Sequence, residues 1–258
     1  GTENITASGN VFTGAETVRL TDYSGTIADA LAIVSEAMAE DAYMGISGKL
    51  YTITLEDVRE KLSGGYRLVG NVTIESGNTV SLADGVSITQ KGNDITVYGT
   101  LNAEYETVAE AFVSNSSNAN INVQDGGVVH LKNASVNLSG SYSQLIVSSG
   151  GTYNMTGGSL YVAYYGISVS SGGAMGLNGV EVKSHIDNSG TLELVNSTHT
   201  SYVNNKGTMT AEGTTFTSYV ISTGTLTITD NTFESYLQIN GTENITASGN
   251  VFTGAETV

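Results

Sequence analysis

Residues 173–240 read GAMGLNGVEVKSHIDNS, GTLELVNSTHTSYVNNK, GTMTAEGTTFTSYVIST and GTLTITDNTFESYLQIN, four segments of 17 residues that each begin with glycine. A fifth segment begins at Gly241 and is less regular. Two and four residues after each glycine stand apolar side chains, and in the later segments the residue between them is polar. This alternation is typical of a half-buried β-strand. The stretch therefore predicts a repeating unit built from short strands.

Aligning the four segments places like residues in columns, which indicates stacked coils. The apolar columns are Met175, Leu192, Met209 and Leu226; Leu177, Leu194, Ala211 and Ile228; Val182, His199, Phe216 and Phe233; and Ile186, Val203, Val220 and Leu237. A short unit with several strands fits one coil of a β-solenoid, in which successive coils lie about 4.8 Å apart. Helical repeats need longer units and a 3.6-residue period. We therefore expect a mainly β fold, a parallel β-solenoid.

Longer coils precede the uniform ones. Residues 127–150 and 151–172 keep the strand alternation over 24 and 22 residues. Residues 70–126 contain further strand runs that are separated by Gly, Asn and Asp turns. Residues 103–113 (AEYETVAEAFV) are expected to form a short helix or a loop that projects from a coil. We assign residues 66–258 to solenoid coils that shorten along the chain.

Residues 19–65 differ from the coils and predict a small two-helix insert. Thr26 with Asp29, and Thr54 with Asp57, resemble capping boxes at the starts of helices over 26–39 and 55–62. Such a pair would pack across the open end of the widest coil, because an uncovered coil exposes strand edges and core. The residues predicted to form this cap or junction between tiles are Ile27, Leu31, Val34, Met38, Leu55, Val58 and Leu62.

The ends of the chain carry the same sequence. Residues 1–18 (GTENITASGNVFTGAETV) return unchanged as residues 241–258, which gives a period of 240 residues from Gly1 to Gly241. One explanation is a slice of a tandem array in which each period is one tile. The other is a duplicated strand segment that lets separate subunits complete one another. In both cases residues 1–18 are predicted to form a terminal coil.

The glycine-led coils, with their GT-hydrophobic-x-hydrophobic starts, resemble the parallel β-helix passenger repeats of autotransporter adhesins and, more generally, the pectin-lyase-like superfamily. The resemblance covers residues 70–258 and implies a right-handed parallel β-helix at the cell surface. The helical insert and the 240-residue period depart from the usual passenger. They are more similar to very long, repetitive bacterial surface proteins.

The charge and the cysteine content of the chain limit the kinds of partner and site that we expect. The chain has 9 basic and 25 acidic residues, a formal net charge of −16, and no cysteine. Such a field repels nucleic acids and anionic membranes, so neither is an expected partner. Absent cysteines exclude disulfides and thiolate metal sites. No apolar run is long enough to insert into a bilayer.

No catalytic constellation emerges from the sequence, and we expect no enzyme activity. Asp84, Asp94, Asp125, Asp187 and Asp230 are scattered, without the paired carboxylates that glycoside hydrolysis requires. The three histidines lack partners at ligand spacing, and His199 is expected to be a locally bonded core or turn residue. No cofactor is predicted, with calcium kept as a weak option because turns are rich in Asn and Asp.

Two sets of residues remain as candidate sites. Tyr202, Tyr219 and Tyr236 form a column that either packs neighbouring coils together or presents rings to sugars. Asn-x-Ser/Thr triplets make possible glycan sites. These are Asn71, Asn115, Asn133, Asn137, Asn154, Asn196 and Asn244, with a further one at Asn4.

The pattern as a whole predicts a non-enzymatic structural tile of a long extracellular fibre, stalk or adhesin. Its expected partners are identical tiles arranged head to tail, and also surface glycans or host-cell receptors. Two alternatives remain. One is a carbohydrate-binding or carbohydrate-cleaving β-helix, which would bring exposed tyrosines and carboxylates together between Gly99 and Gly172. The other is a subunit that polymerises through its duplicated segment.

Overall fold

The structure, a computed structural model, describes residues 17–21, 43–50, 53–54, 66–82, 84–241 and 244–254. Within these residues the chain forms 28 strands and no helix. Each coil pairs in parallel with the coil before it and the coil after it. The predicted parallel β-solenoid is therefore confirmed.

Each coil contributes short strands to three stacks, which the chain visits in turn. The first stack contains β3 (Ile53–Thr54), β5 (Thr79–Leu82), the starts of β8 (Thr100–Ser114) and β10 (Val128–Leu138), β12 (Thr152–Thr156), β15 (Ala174–Asn178), β18 (Thr191–Val195), β21 (Thr208–Glu212), β24 (Thr225–Thr229) and β27 (Ile245–Ser248). The second stack contains β1 (Thr17–Thr21), the starts of β2 (Tyr43–Leu50) and β4 (Tyr66–Ile74), β6 (Ile88–Thr89), the ends of β8 and β10, β13 (Ser159–Val162), β16 (Glu181–Val182), β19 (Thr198–His199), β22 (Thr215–Phe216), β25 (Thr232–Phe233) and β28 (Val251–Phe252). The third stack contains the ends of β2 and β4, β7 (Ile95–Val97), β9 (Ile121–Val123), β11 (Leu145–Val147), β14 (Ile167–Val169), β17 (Ile186–Asn188), β20 (Val203–Asn205), β23 (Val220–Ser222) and β26 (Leu237–Ile239).

The core runs along the axis as continuous columns, as the repeat predicted. Leu192 pairs with Met209, and Met209 pairs with Leu226, so equivalent residues lie directly above one another. All three side chains are fully buried. Each such contact removes apolar surface from water at about 25 cal/mol per Å². Stacking therefore supplies each coil with its hydrophobic stabilisation on both sides.

A ladder of polar side chains also runs inside the third stack. Asn188 Nδ2 donates to Asn205 Oδ1 at 2.8 Å, and Asn205 Nδ2 donates to Ser222 Oγ at 2.9 Å. The same two amides also donate to the main-chain oxygens of Thr208 and Thr225, both at 3.0 Å. Because all three ladder residues are buried, these bonds avoid the cost of leaving buried amides unpaired.

The glycine that opens each uniform coil is required by close approach of the main chains. A Cβ built on Gly207 would lie 2.2 Å from the carbonyl oxygen of Gly190, and Gly224 makes a similar approach to Gly207. No real Cβ tolerates that distance from a backbone oxygen. The 17-residue glycine period thus reflects a corner where coils touch through bare backbone.

A different column sets the turn between the first and second stacks. Gly179, Asn196, Gly213 and Asp230 occupy it, with φ values of 64, 48, 59 and 55°. Glycine adopts this left-handed conformation without strain, and Asn and Asp tolerate it better than other residues. The turn explains why these three residue types alternate at one position of the repeat.

Residues 103–113 form neither a helix nor a simple loop, which corrects the prediction for this segment. They belong to β8, a single long strand whose pairing with β10 has a wide bulge at residues 105–108 and a one-residue shift at Ala111. Lys132 of β10 pairs with Glu104, whereas Ala134 pairs with Ala109, so residues 105–108 lie opposite Asn133 alone. Pairing on both sides of the bulge holds an Ala- and Glu-rich segment in an extended conformation. The bulge still projects from the coil, with Val108 exposed.

The described parts of residues 19–65 are strands. β1, β2 and β3 pair in parallel with one another or with the coils that follow, so this part of the segment is continuous with the sheet. The two predicted helices lie outside the described residues. The same holds for all seven predicted junction residues, Ile27, Leu31, Val34, Met38, Leu55, Val58 and Leu62.

The second copy of the duplicated segment forms a coil of its own. Ile245 pairs with Leu226 and Val251 with Thr232, both 19 residues apart. The coil is therefore two residues longer than the uniform ones. Phe252 stacks on Phe233 at 5.0 Å and 12°, which extends the phenylalanine column of the uniform coils.

Candidate functional site

The predicted tyrosine column lies at the corner between the second and third stacks. The rings of Tyr202 and Tyr219 stack at 5.1 Å and 2°, and those of Tyr219 and Tyr236 at 5.1 Å and 4°. His185 continues the ladder, stacked on Tyr202 at 4.7 Å and 12°. The ring faces cover one another, so a sugar cannot stack on the middle of the ladder. The geometry favours the packing interpretation of this column.

The electrostatics of the ladder agree with partial burial. Desolvation raises the pKa of Tyr202, and the nearby Asp187 carboxylate and Tyr219 add to the rise. His185 Nε2 lies 3.9 Å from Asp187 Oδ2, which places a carboxylate beside the first ring of the ladder. The ladder is thus an aromatic edge with one carboxylate, that of Asp187, beside its first rings.

The aromatic row extends further than the sequence indicated. A Cβ on Gly166 would lie 2.6 Å from the His185 ring, so His185 packs directly over the turn that carries Tyr165. Tyr165 contacts Tyr164 at 5.1 Å, and Tyr142 contacts Tyr164 at 5.1 Å and Tyr165 at 5.6 Å between ring centroids. We name Tyr142, Tyr164 and Tyr165 the tyrosine patch. The sequence analysis missed all three.

The patch differs from the ladder in ring geometry and exposure. Its rings meet edge to face or tilted, at 61, 46 and 83°, so faces stay free. Tyr142, Tyr164 and Tyr165 are 48, 68 and 48% exposed. Exposed aromatic faces of this kind are able to stack on a flat apolar surface of a ligand. The patch is therefore the part of the aromatic row that is open to binding.

A groove lies beside the bulge on the second stack. Its volume is about 320 Å³, and Val108, Glu110, Asn137, Tyr161 and Lys183 line it. Asn137 Nδ2 donates to Glu110 Oε1 at 3.0 Å, and Lys183 Nζ lies 3.0 Å from Glu181 Oε2. The groove brings together a tyrosine and one carboxylate, Glu110, from the long coils, which is part of what the carbohydrate alternative expected.

Glu110 in this groove and Glu181 beside it stand on strands three coils apart. Glu110 pairs with Ser135, Ser159 donates its N–H to Ser135 Oγ, and Ser159 pairs with Glu181. Glu110 and Glu181 are thus three coils apart, or about 14 Å at the spacing of neighbouring strands. Retaining and inverting glycosidases hold their carboxyl groups about 5–9.5 Å apart. The main-chain spacing of these two glutamates is wider than that range.

His199 is a buried core residue, as the sequence predicted. Its Nδ1 lies 2.8 Å from the carbonyl oxygen of Ser201, and its ring packs 6.1 Å from Phe216. Nε2 is buried without a hydrogen-bond partner. Burial lowers the pKa of His199 to about 4, a shift that the Ser201 hydrogen bond opposes. The side chain is therefore held neutral in an aromatic column.

Metal ligands are not grouped in the part of the chain that the structure describes. There, no three His, Asp or Glu side chains lie close enough to hold a metal ion. His130 is exposed, on the first stack, and lines a shallow groove with Glu104, Lys132 and Asn154. The three histidines thus sit in three separate environments.

The possible glycan sites fall into two groups. Asn71, Asn115, Asn196 and Asn244 are exposed, whereas Asn133, Asn137 and Asn154 are half-buried. Asn133 Nδ2 donates to the carbonyl oxygen of Tyr105 at 3.0 Å, and Asn137 Nδ2 donates to Glu110. Because a glycan is attached through Nδ2, modification at Asn133 or Asn137 would break these bonds. The exposed group is better suited to carry glycans; Asn4 lies outside the described residues.

Comparisons of the chain with protein-family models, with curated proteins and with solved structures found no match. The fold therefore rests on strand pairing, and the resemblance to autotransporter passengers stays a prediction. Among the described residues, no helix has the length and apolar character needed to cross a membrane.

Proposed function

We propose that this chain is a structural part of a long extracellular or cell-surface fibre in which 240-residue tiles follow one another head to tail. The role requires no catalysis and no cofactor, and its main partner is a neighbouring identical tile. One observation carries the proposal. The duplicated segment folds as a solenoid coil, and the same sequence opens the chain.

The two copies contribute to opposite ends of one parallel sheet. In the second copy, β27 and β28 pair with β24 and β25. In the first copy, Thr17 and Val18 open β1, which pairs in parallel with β2. A tile that continued into the next tile would therefore use this segment as the coil between the narrow end and the wide end.

Side-chain exposure at the narrow end supports the same arrangement. Ile245 is 37% exposed and Val251 is 53% exposed. One coil earlier, Leu226 occupies the position of Ile245 and is buried. Thr232 occupies the position of Val251 and pairs with a strand on each side. A further coil stacked on β27 and β28 would bury these apolar side chains and pair their main-chain groups. Such stacking gains hydrophobic burial without a new kind of contact.

The axial construction also accounts for stiffness and solubility. Main-chain hydrogen bonds, apolar columns and aromatic stacks all run along the axis, so bending the rod disrupts many of them together. The net charge of −16 repels neighbouring rods and keeps them from associating side by side. Both properties suit a hydrated fibre outside the cell.

A two-tile chain tests the proposal. Residues 1–240 followed by residues 1–258 should give one straight rod that is longer than the single-tile rod by about 50 Å, the extension of ten to eleven coils at about 4.8 Å each. Small-angle scattering and electron microscopy measure this length. The matched control replaces the internal copy of residues 1–18 with a Gly/Ser linker of equal length, which should give two rods joined at variable angles.

Two results would contradict the tandem arrangement. If the two-tile chain bends as freely as the linker control, the duplicated segment does not join the tiles. If the 258-residue chain by itself forms long filaments with the same axial repeat, assembly occurs between separate subunits through the duplicated segment. The mass of the native polypeptide then decides which form occurs naturally.

A further inference from the structure

We propose that the tyrosine patch, Tyr142, Tyr164 and Tyr165, is a binding platform for neutral saccharides on the side of the rod. The inference goes beyond the structural role and does not depend on tiles joining end to end. It rests on exposure, on backbone conformation and on the absence of charged residues from the corner segments of the two coils that carry the patch and of the coil before them.

The first observation is that the rings of the patch are exposed and therefore gain little stability from burial. Tyr164 is 68% exposed, whereas the buried Tyr66 and Tyr153 show what a packed tyrosine looks like in this chain. Three large aromatic side chains within 5.6 Å of one another form a contiguous apolar surface in solvent. Patches of this kind mark interaction sites more often than chance exposure of single residues does.

The backbone provides a second, independent observation. Tyr142 and Tyr164 have φ values of 62 and 64°, in the left-handed region. They share a corner of the coil with Lys91 and Asn118, whose φ values are 54 and 60°. A bulky residue in this conformation costs about 1 kcal/mol or more relative to Gly or Asn. Burial offsets little of that cost at such exposure, so the conformation of the two tyrosines points to a role of their side chains in binding.

The left-handed turn also determines where the rings point. It places Tyr142 and Tyr164 on neighbouring coils, and Tyr165 beside them, so that three rings from two coils meet. Their edge-to-face contacts leave at least one face of the patch open. The stacked ladder of Tyr202, Tyr219 and Tyr236 has no such opening, because each face covers the next.

The chemistry around the patch selects an uncharged ligand. Residues 114–120, 139–144 and 163–166, which form this corner in three successive coils, contain no Asp, Glu, Lys, Arg or His, although the chain has 25 acidic residues. They contain instead six serines, three asparagines and a glutamine. Apart from the buried Ser114 and Ser143, these residues offer hydroxyl and amide groups. An anionic ligand would need basic residues and a cationic one would need carboxylates. A sugar ring matches both features of the patch. The C–H groups on its face can stack on the tyrosine rings, and the hydroxyls on its rim can bond to the surrounding hydroxyl and amide groups.

The test pairs a binding measurement with a stability measurement. The probes are four neutral oligosaccharides, the hexamers of β-1,4-glucose, β-1,3-glucose, β-1,4-mannose and β-1,4-galactose. We expect at least one to bind the 258-residue chain at concentrations below about 10 mM, measured by saturation-transfer NMR and calorimetry. The double variant Tyr142→Asn, Tyr164→Asn should weaken that binding about tenfold or more.

The same variant separates binding from a structural role. Asn118 shows that asparagine fits this corner, so the double variant should keep or raise the melting temperature while it loses the ligand. The matched control is Tyr219→Asn, which should lower the melting temperature and leave saccharide binding unchanged.

Three results would overturn the proposal. The first is that none of the four hexamers binds, or that only a charged polysaccharide does. The second is that binding persists in the double variant. The third is that the double variant lowers the melting temperature as much as Tyr219→Asn does, because the patch would then be a packing element.

Discussion

The uniform coils of residues 173–240 and the longer coils of residues 100–172 solve the same stacking problem differently. In the uniform coils, each residue lies over its equivalent 17 positions away, and aromatic and amide side chains form unbroken ladders. In the longer coils, unequal lengths interrupt such ladders. The bulge of β8, the groove beside it and the tyrosine patch all occur there.

The difference shows which coils of a solenoid are stabilised by regular stacking and which coils leave side chains accessible for binding. Where coils have equal lengths, each side chain packs against the equivalent side chains of the coils above and below. Few side chains at the surface then lack a packing partner along the axis. Unequal lengths leave residues at the corners without an equivalent above or below. We therefore expect substitutions in the uniform coils to change stability and substitutions in the longer coils to change binding.

The largest expected effect is that of Gly207→Ala in the uniform coils. The new Cβ would lie 2.2 Å from the Gly190 carbonyl oxygen and 2.6 Å from the Ser189 carbonyl carbon. Neither atom is a flexible side chain, so the coils must separate at this corner, at a cost of about 3 kcal/mol or more. Denaturant unfolding followed by circular dichroism measures this loss.

Gly179→Asn is the matched control for that substitution. Gly179 has a φ of 64° and open space around its Cβ, and Asn196 occupies the equivalent turn one coil later. The variant should therefore change the free energy of unfolding by less than about 0.5 kcal/mol. If Gly207→Ala is as mild as this control, the close approach of the main chains is not what the glycine period serves.

The second effect is a pH dependence that originates in the uniform coils. Burial lowers the pKa of His199 to about 4, whereas an unfolded histidine titrates near its model value of 6.5. The unfolded state therefore binds the proton first, and stability is lost as the pH falls from about 6.5 to about 4. The full difference amounts to about 3 kcal/mol. Unfolding curves at several pH values between 4 and 7.5 measure it.

His199→Phe isolates this contribution. Phenylalanine would extend the column of Phe216 and Phe233 and remove the buried Nε2 that lacks a hydrogen-bond partner. Its stability should be nearly constant between pH 4 and 6.5, apart from the smaller effects of exposed carboxylates. A variant that keeps the original pH dependence would assign it to groups other than His199.

The third effect concerns the buried amide ladder. Asn205→Ala removes one bond to Asn188, one to Ser222 and one to the Thr225 oxygen. Buried groups then lose partners, which should cost about 2 kcal/mol. Asn204→Ala is the neighbouring control, since its amide donates to Asp187 at the exposed surface. Equal losses in the two variants would mean that the interior ladder contributes no special stability.

The uniform coils were the part of the fold that the sequence predicted well. Met175, Leu192, Met209 and Leu226 recur at one spacing, and a parallel stack is the simplest structure that buries them all. His199 could be placed in the core because its column otherwise contains Val and Phe. Equal spacing converts a column in an alignment directly into a column in space.

The longer coils were harder to predict, for two physical reasons. The Ala and Glu residues of 103–113 have high helix propensity, but pairing of Ala103 and Ala109 with β10 imposes an extended bulge. The sequence did not reveal the tyrosine patch, because the corner between the second and third stacks differs in length from coil to coil. Tyr202 directly precedes its third-stack strand, Tyr165 lies two residues before β14, and Tyr142 lies three residues before β11. No single period aligns the three.

The smallest expected effect compares one tyrosine from each region. Tyr219→Ala removes a ring that is stacked at 5.1 Å on both Tyr202 and Tyr236, and two such contacts are worth about 1–2 kcal/mol. Tyr165→Ala removes a ring from the same corner in a longer coil. This ring contacts Tyr164 and Tyr142 at 5.1 and 5.6 Å but is 48% exposed, so its cost should be the smaller of the two, about 0.5–1 kcal/mol. Thermal and denaturant unfolding of the two variants, measured side by side, decide the comparison. Because the residue, the substitution and the corner are the same, the difference compares a ring stacked on both sides with an exposed ring in tilted contacts. Equal costs would mean that coil uniformity does not make the aromatic row structural in one region and available for binding in the other.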